Sequence, residues 1–147
     1  KMKVGKITFN EAYKAVSEYR RKFPQKAVTF YAQNYPSMGW AVFMASGSCP
    51  VIPCKDKAFL KDAAVMEVEE TNTDQYKKLV KSDTGNIIYS KSGTEIPIHL
   101  SSGKYVLKYI HPNSGEVNTI NKSLKIKGLY TLKVPDKKEG IYWFHKL

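Results

Sequence analysis

Hydrophobic spacing near the start of the chain predicts one amphipathic helix. Apolar residues at positions 9, 12, 13, 16, 19 and 23 recur at intervals of three and four, with charged residues between them. Thr8 or Asn10 can cap the helix at its start, and Pro24 stops it at its end. We predict a helix over residues 9–22.

Three further short elements follow in the first part of the chain. Residues 27–32 form an apolar and β-branched run that predicts a buried strand. Residues 40–45 place large apolar side chains on one helical face behind Ser37, so a helix capped by Ser37 is favoured there. Asp56 caps a third helix, predicted over residues 57–66. The order of helix and then strand is typical of α/β units.

An acidic and polar stretch at residues 67–74 separates this helix-rich part from a strand-rich one. Such a shift in composition is typical of a domain boundary. We predict two domains, a helix-rich α/β segment at residues 1–70 and an antiparallel β-sandwich at residues 71–147.

The clearest strand of the second half spans residues 104–111. Tyr105, Leu107 and Tyr109 share one face, which is the pattern of a strand buried on one side only. The turn after this strand ends at Gly115, which is free to take a positive φ. Similar runs, mostly separated by glycine-containing turns, predict strands at residues 75–81, 86–91, 94–100, 116–120, 122–127, 129–134 and 140–146. The predicted fold class is α+β, with a C-terminal antiparallel β-sandwich.

The composition is that of a globular protein with a strong positive charge. Lysine and arginine number 24 against 13 acids, which gives a formal net charge of +11. Because only Arg20 and Arg21 are arginines and the lysines are spread over many predicted strands, a solvated surface is favoured over nucleic-acid binding. An anionic polymer is the alternative partner. No apolar run approaches the roughly 20 residues of a membrane-spanning helix, so no membrane span is expected.

The strand series of the second half resembles a known module. The segments Gly85–Ser90, Ile96–Leu100, Tyr105–Gly115 and Gly140–Phe144 follow one another as in the C-terminal β-sandwich of glycoside-hydrolase-like proteins of gut Bacteroidetes. That module is sometimes labelled collagen-binding. Here His111 stands where those proteins have an aspartate, so the turn is retained without that side chain.

The first part is similar to the end of the catalytic barrel in the same proteins. There, a segment like Trp40–Ser48 follows a strand and leads through a proline-containing loop into a helix like Asp56–Met66. The resemblance implies a helix-rich α/β segment like the end of a TIM barrel, in the tail of a longer carbohydrate-active chain. Two catalytic carboxylates would then be expected upstream of Lys1.

No catalytic residue is predicted within the chain itself. Glycoside hydrolysis needs two carboxylates about 5–10 Å apart. The acids here lie mostly on helix faces or in turns, and the strand predicted over residues 27–32 ends in Gln33 and Asn34 rather than in an acid. An intact active site is not expected.

Cys49 and Cys54 are the two cysteines, and two prolines lie between them. In an exported protein they could close a disulfide loop, and otherwise they are two small buried thiols. A zinc site would need further Cys or His at short spacing, but the three histidines fall singly on separate predicted strands. Neither a metal site nor a cofactor is expected.

Aromatic side chains are the candidate carbohydrate-binding groups, because sugar rings stack on flat side chains that have polar groups around them. Trp143 is offset by one residue from Tyr142 and Phe144, so one of these two sets should face outward. An outward Trp143 would be the best sugar platform. A second candidate cluster, at the end of a predicted strand, consists of Tyr31, Gln33, Asn34, Tyr35 and Trp40.

The favoured hypothesis is a non-catalytic accessory β-sandwich module of a glycoside hydrolase or polysaccharide-utilisation protein, which braces a catalytic barrel or binds carbohydrate. The alternative is a lysine-rich adhesin that binds an anionic polymer, namely an acidic polysaccharide, a collagen-like matrix or nucleic acid. A catalytic domain or second chain is expected to cover the apolar residues Phe9, Val28, Trp40 and Phe43. The expected location is secreted, periplasmic or at the cell surface.

Overall fold

The computed structural model describes residues 7–29 and 36–147. The chain divides into two compact units, Lys1–Ile52 and Pro53–Leu147. The division into two domains near residue 70 stays a prediction. The helix that was predicted over residues 57–66 belongs to the second compact unit.

The first unit contains two helices, α1 (Phe9–Lys22) and α2 (Pro36–Met44). The first helix confirms the prediction over residues 9–22. Its N-cap is Thr8, because Glu11 and Thr8 exchange side-chain and backbone hydrogen bonds of 2.8 and 3.2 Å in a capping box. The helix prediction for residues 40–45 is also confirmed, although α2 begins at Pro36, so Ser37 lies within the helix rather than before its first residue.

The apolar side of this unit is buried within the chain. Trp40 is fully buried and meets Phe43 in an edge-to-face contact with ring centroids 5.4 Å apart. Phe43 is buried as well, while Phe9 and Val28 are half-buried. The expectation that Trp40 and Phe43 need a covering partner is wrong, since their own chain already removes them from water.

The strand predicted over residues 27–32 is not seen where the structure describes it. Residues 27–29 are irregular, and residues 30–32 lie outside the described residues. Val28 is fixed by two hydrogen bonds with Ser48, whose backbone N–H donates to the Val28 carbonyl at 2.7 Å. In residues 27–29, two hydrogen bonds with Ser48 are therefore seen where a strand was predicted.

The second unit begins with α3 (Lys57–Ala63), one turn shorter than predicted. Asp56 caps it, as expected, by accepting a 2.9 Å hydrogen bond from the backbone N–H of Phe59. The chain then forms eight strands: β1 (Glu67–Glu69), β2 (Tyr76–Lys81), β3 (Gly85–Ser90), β4 (Glu95–His99), β5 (Gly103–Ile110), β6 (Val117–Ile126), β7 (Leu129–Lys133) and β8 (Gly140–Lys146).

These strands form two antiparallel sheets. The larger sheet has the order β1-β2-β3-β8-β5-β6, and the smaller one pairs β4 with β7. Two expectations are corrected. The stretch predicted as a domain boundary contains β1, which pairs with β2, and the two strands predicted over residues 116–127 are the single strand β6. Strand β6 stays paired with β5 through register shifts around Leu107.

The core between the two sheets contains Tyr105, Leu107 and Tyr109, the face of β5 that was predicted to be buried. The other members of this core are Ile88, Ile96, Ile98, Leu100, Ile126, Leu132, Val134, Tyr142 and Phe144. The fold is α+β and β-sandwich-like, as predicted.

The burial of the second face of the larger sheet differs from the expectation. Strand β5 was expected to be buried on one side only, but Val106 and Ile110, which face away from the sandwich core, are buried too. On β8, Ile141 and Trp143 are likewise buried opposite Tyr142 and Phe144. Both faces of these central strands are therefore buried, and at Trp143 the second face is covered by α3, which packs there through Phe59. No helix in the described part of the chain is long and apolar enough to cross a membrane.

Candidate functional site

A pocket lies on the second face of the larger sheet, where α3 meets the strand ends. Its volume is about 530 Å³, and all of its lining residues belong to the second unit. The α3 side is built from residues 58, 61 and 62, whose helical spacing brings them onto one face, and from Val65 in the turn after the helix. The sheet side is built from β2, β5 and β8 and from the turn between β2 and β3.

Strand register places the main side chains of the sheet side next to one another. Trp143 and His145 are two residues apart on β8 and so face the same way. Lys108 on β5 is the register partner of Trp143, and its Nζ lies 5.0 Å from the centroid of the indole ring. The rings of Trp143 and His145 are 4.6 Å apart and inclined by 31°.

Trp143 is held in place by α3. Its Nε1–H donates a 2.8 Å hydrogen bond to Oδ2 of Asp62, and its ring meets Phe59 edge to face with a centroid separation of 5.4 Å. Only 2% of Trp143 is exposed. The expectation of an outward, open indole platform is therefore wrong, because α3 covers the face of β8 that was expected to be open. Trp143 still lines the pocket, and a role in binding sugar stays a prediction.

The charges of the pocket are unbalanced. Four lysines line it, Lys61, Lys81, Lys108 and Lys146, against the single carboxylate of Asp62. That carboxylate is already engaged, since its Oδ1 lies 3.5 Å from Nζ of Lys81 and its Oδ2 accepts from Trp143. Lys146 donates a 3.0 Å hydrogen bond to Ser101. Lys61 and Lys108 form no ion pair with a carboxylate among the described residues.

His145 lies in this positive environment. Its Nε2 is buried and has no hydrogen-bond partner among the described residues. Burial lowers the pKa of His145, and the charge of Lys108 lowers it further, while Asp62 and Asp56 oppose these effects. The neutral imidazole is therefore favoured in the folded chain.

The stability of the chain should depend on pH through His145. Because the folded state binds this proton more weakly than the unfolded state, the contribution is present above the ordinary pKa of 6.5 and is lost as the pH falls through the lowered pKa. We expect the free energy of unfolding, measured with urea, to decrease between about pH 7.5 and about pH 5. His145→Gln should reduce this decrease.

The control is His99→Gln, which removes an exposed histidine of β4 outside the pocket. A decrease of the same size in the wild type and in His145→Gln would contradict the role of His145.

The other predicted site residues do not join this pocket. Tyr31, Gln33, Asn34 and Tyr35 lie outside the described residues, and Trp40 is fully buried in the first unit. Both cysteines are free thiols, Cys49 exposed and Cys54 buried. Burial raises the pKa of the Cys54 thiol.

Sequence reasoning missed most of the residues that form the pocket, which are Lys61, Asp62, Lys81, Lys108, His145 and Lys146. One signal was available. Residues 58, 61, 62 and 65 have the spacing of one face of the helix predicted over residues 57–66. The sequence could therefore have predicted that these four residues lie on the same surface. The partner strands could not be identified from local spacing, because strand order in the sheet is set by tertiary pairing.

The pocket does not have the groups of a hydrolytic site. Asp62 is the one carboxylate among its lining residues, whereas glycoside hydrolysis uses an opposed pair. In the described part of the chain, no group of three or more His, Cys, Asp or Glu is placed to hold a metal ion.

Comparison with known proteins gives limited similarity. Residues 1–66 match the family described as "Domain of unknown function (DUF6298)", and no curated protein matches the sequence. A solved structure described as a glycoside hydrolase is similar over 56% of this chain and 20% of its own, with 10% identity and a TM-score of 0.41. A glycoside hydrolase family 5 structure from Bacteroides vulgatus is similar over 56% of this chain and 19% of its own, with 13% identity and a TM-score of 0.39.

The chain thus spans about a fifth of the length of the two glycoside hydrolase structures. At this level of similarity, the assignment of the fold rests on the strand topology described above.

Proposed function

We propose that the chain is a non-catalytic accessory module of a glycoside hydrolase or polysaccharide-utilisation protein, and that it binds carbohydrate in the pocket beside α3. The observation that carries the proposal is the composition of the pocket. It combines hydrogen-bond donors with apolar wall residues, and its single carboxylate is engaged by Trp143 and Lys81.

Carbohydrate recognition needs donors for the hydroxyl groups and apolar surface for the C–H faces of the ring. The pocket offers ammonium groups and the hydroxyl of Thr84 as donors, and Ala58 and Val65 as apolar contacts. Its volume of about 530 Å³ is in the range typical of small-molecule sites. Trp143 would contribute to the apolar wall where it lines the pocket.

The absence of a carboxylate pair in the pocket supports binding without hydrolysis. A general acid must be able to hold a proton near the glycosidic oxygen, and a second carboxylate must lie opposite to it. Asp62 stabilises the contact between α3 and β8 instead, because both of its oxygens lie within reach of donors on the sheet.

We propose that the parent protein is divided close to the predicted boundary at residue 70, with β1 included in the sandwich because it pairs with β2. The match to the DUF6298 family supports a division here, since it ends at residue 66 and β1 begins at Glu67. We further propose that the sandwich braces a catalytic barrel of the same protein, and that this protein acts outside the cytoplasm.

The proposal is tested by affinity electrophoresis of the full chain through gels containing plant and host polysaccharides, together with a reducing-sugar assay on the same panel. We expect retardation by at least one polysaccharide and no release of reducing ends. The double variant Lys61→Gln/Lys108→Gln should lose the retardation. Lys133→Gln, at an exposed position on β7 outside the pocket, is the matched control. Migration unchanged in every gel, or hydrolysis by the chain alone, would contradict the proposal.

A second candidate function is favoured by the charge of +11, namely a lysine-dependent adhesin for an anionic polymer such as an acidic polysaccharide, a collagen-like matrix or nucleic acid. In that case many lysines would contribute, and retention should weaken by orders of magnitude between about 50 and 200 mM salt. Equal loss of retention in Lys133→Gln and in a pocket variant would favour this candidate over a localised site.

A further inference from the structure

The pocket contains two lysines whose charge no carboxylate of the described residues neutralises. Lys108 is half-buried on β5, and the interaction described for its ammonium group is with the ring of Trp143, 5.0 Å away. Lys61 extends from α3 into the same pocket. Asp62 does not balance these two groups, because its oxygens are engaged by Trp143 and Lys81.

A half-buried ammonium is stabilised most by an anion that it can reach with a hydrogen bond. Such charge-assisted bonds are roughly twice as strong as bonds between neutral groups. Water is a weaker partner for Lys108 than an anion would be, since α3 and the sheet partly exclude solvent from its surroundings. The pocket is therefore better suited to a ligand that brings one negative charge than to a neutral one.

His145 adds a second potential donor beside Lys108. Its buried Nε2 has no hydrogen-bond partner among the described residues. In the protonated state the imidazolium would add a positive charge beside Lys108, and a bound anion would offset the repulsion between the two groups. The charged groups that line the pocket or act on His145 are Asp56, Lys61 and Asp62 at α3, Lys81 on β2, Lys108 on β5 and Lys146 on β8.

We infer, on the basis of the proposed carbohydrate function, that the pocket selects sugars that carry one anionic substituent, a carboxylate or a sulfate ester, and that this group binds against Lys108 and His145. The localisation of the charged groups in one pocket separates this inference from general polyanion binding. A pocket of about 530 Å³ between a helix and a sheet holds one or two sugar units, whereas a polymer held by charge alone would use lysines over the whole surface.

The inference is tested by isothermal titration calorimetry of the full chain with three probes that share one ring and differ at one carbon: glucose, glucuronate and glucose 6-sulfate. We expect one or both anionic probes to bind at least about 10-fold more tightly than glucose, as one charge-assisted hydrogen bond allows. The tighter of the two identifies the substituent. Inorganic sulfate and acetate show how much of the affinity comes from the anion alone.

Variants then locate the anion. Lys108→Gln should lower the affinity for the preferred anionic probe to that for glucose. Lys61→Gln should also lower this affinity, and because Lys61 is exposed, this substitution does not put folding at risk. Lys133→Gln should have no effect. Affinity for glucuronate should rise as the pH falls from about 7.5 to about 5, and His145→Gln should remove this rise, because the protonated imidazole is the charged form that attracts the anion.

The outcomes separate the inference from the proposed function. Equal binding of glucose and the anionic probes would overturn the inference and leave the carbohydrate function standing. Inorganic sulfate or acetate that binds as tightly as the matching sugar would overturn both, because the ring would contribute nothing. Failure of all three sugars to bind would overturn the inference, and retardation in the polysaccharide gels would still decide the proposed function. Tighter anionic binding that Lys108→Gln leaves unchanged would overturn the assigned position of the anion.

Discussion

Gly115→Ala is expected to destabilise the second unit by about 2–6 kcal/mol. The φ of Gly115 is +74°, a conformation in which a Cβ is strained by about 1–3 kcal/mol. A Cβ at this position would also lie 2.5 Å from the carbonyl carbon and oxygen of Pro53 and 2.6 Å from the backbone nitrogen of Cys54. Backbone cannot rotate away as a side chain can, so overpacking adds a further cost of about 1–3 kcal/mol.

The measurement is the midpoint and slope of urea unfolding, followed by far-UV circular dichroism. Gly128→Ala is the matched control, because Gly128 also has a positive φ, +101°, but a Cβ there would meet nothing within 4 Å. This control should show the backbone strain without the clash. Equal destabilisation by the two substitutions would show that the contact with Pro53 is not close in solution.

Trp143→Ala is expected to destabilise the same unit by about 3–5 kcal/mol, the usual cost of truncating a large buried aromatic side chain. The substitution opens a cavity beneath α3, removes the ring that Phe59 contacts and takes away the donor to Asp62. Asp62 would then keep only its ion pair with Lys81.

Trp143→Phe separates packing from hydrogen bonding. Phenylalanine keeps an aromatic ring against Phe59 and lacks the indole N–H, so a smaller loss of about 1–3 kcal/mol is expected. Both variants are compared with the wild type by urea unfolding. A loss below about 1 kcal/mol for Trp143→Ala would mean that α3 does not cover this face of the sheet.

Strong local periodicity explains which elements could be predicted from the sequence. The helix over residues 9–22 was predicted because its apolar positions keep one spacing and its caps are adjacent. Alternation along β5 likewise predicted that Tyr105, Leu107 and Tyr109 form one buried face, and all three lie in the sandwich core. In these elements, local pattern and tertiary packing favour the same structure.

The errors fall where tertiary structure decides the outcome. Residues 67–69 are acidic and polar, and they form a strand because β2 offers a paired edge. Alternation showed that Trp143 and Tyr142 face opposite ways, but not that α3 covers the face of Trp143. The pocket itself combines side chains from α3, β2, β5 and β8, and no local pattern links such distant segments.

The central claim is that the pocket beside α3 binds a sugar. The most direct test is the indole N–H spectrum of the ¹⁵N-labelled chain during titration with the sugar probe that binds most tightly in calorimetry, since the sequence contains only two tryptophans, one in each unit. We predict a saturable shift of the Trp143 signal, assigned with Trp143→Phe, and an unchanged Trp40 signal. A Trp143 signal that stays fixed up to saturation with that probe, or a shift confined to Trp40, would contradict the claim.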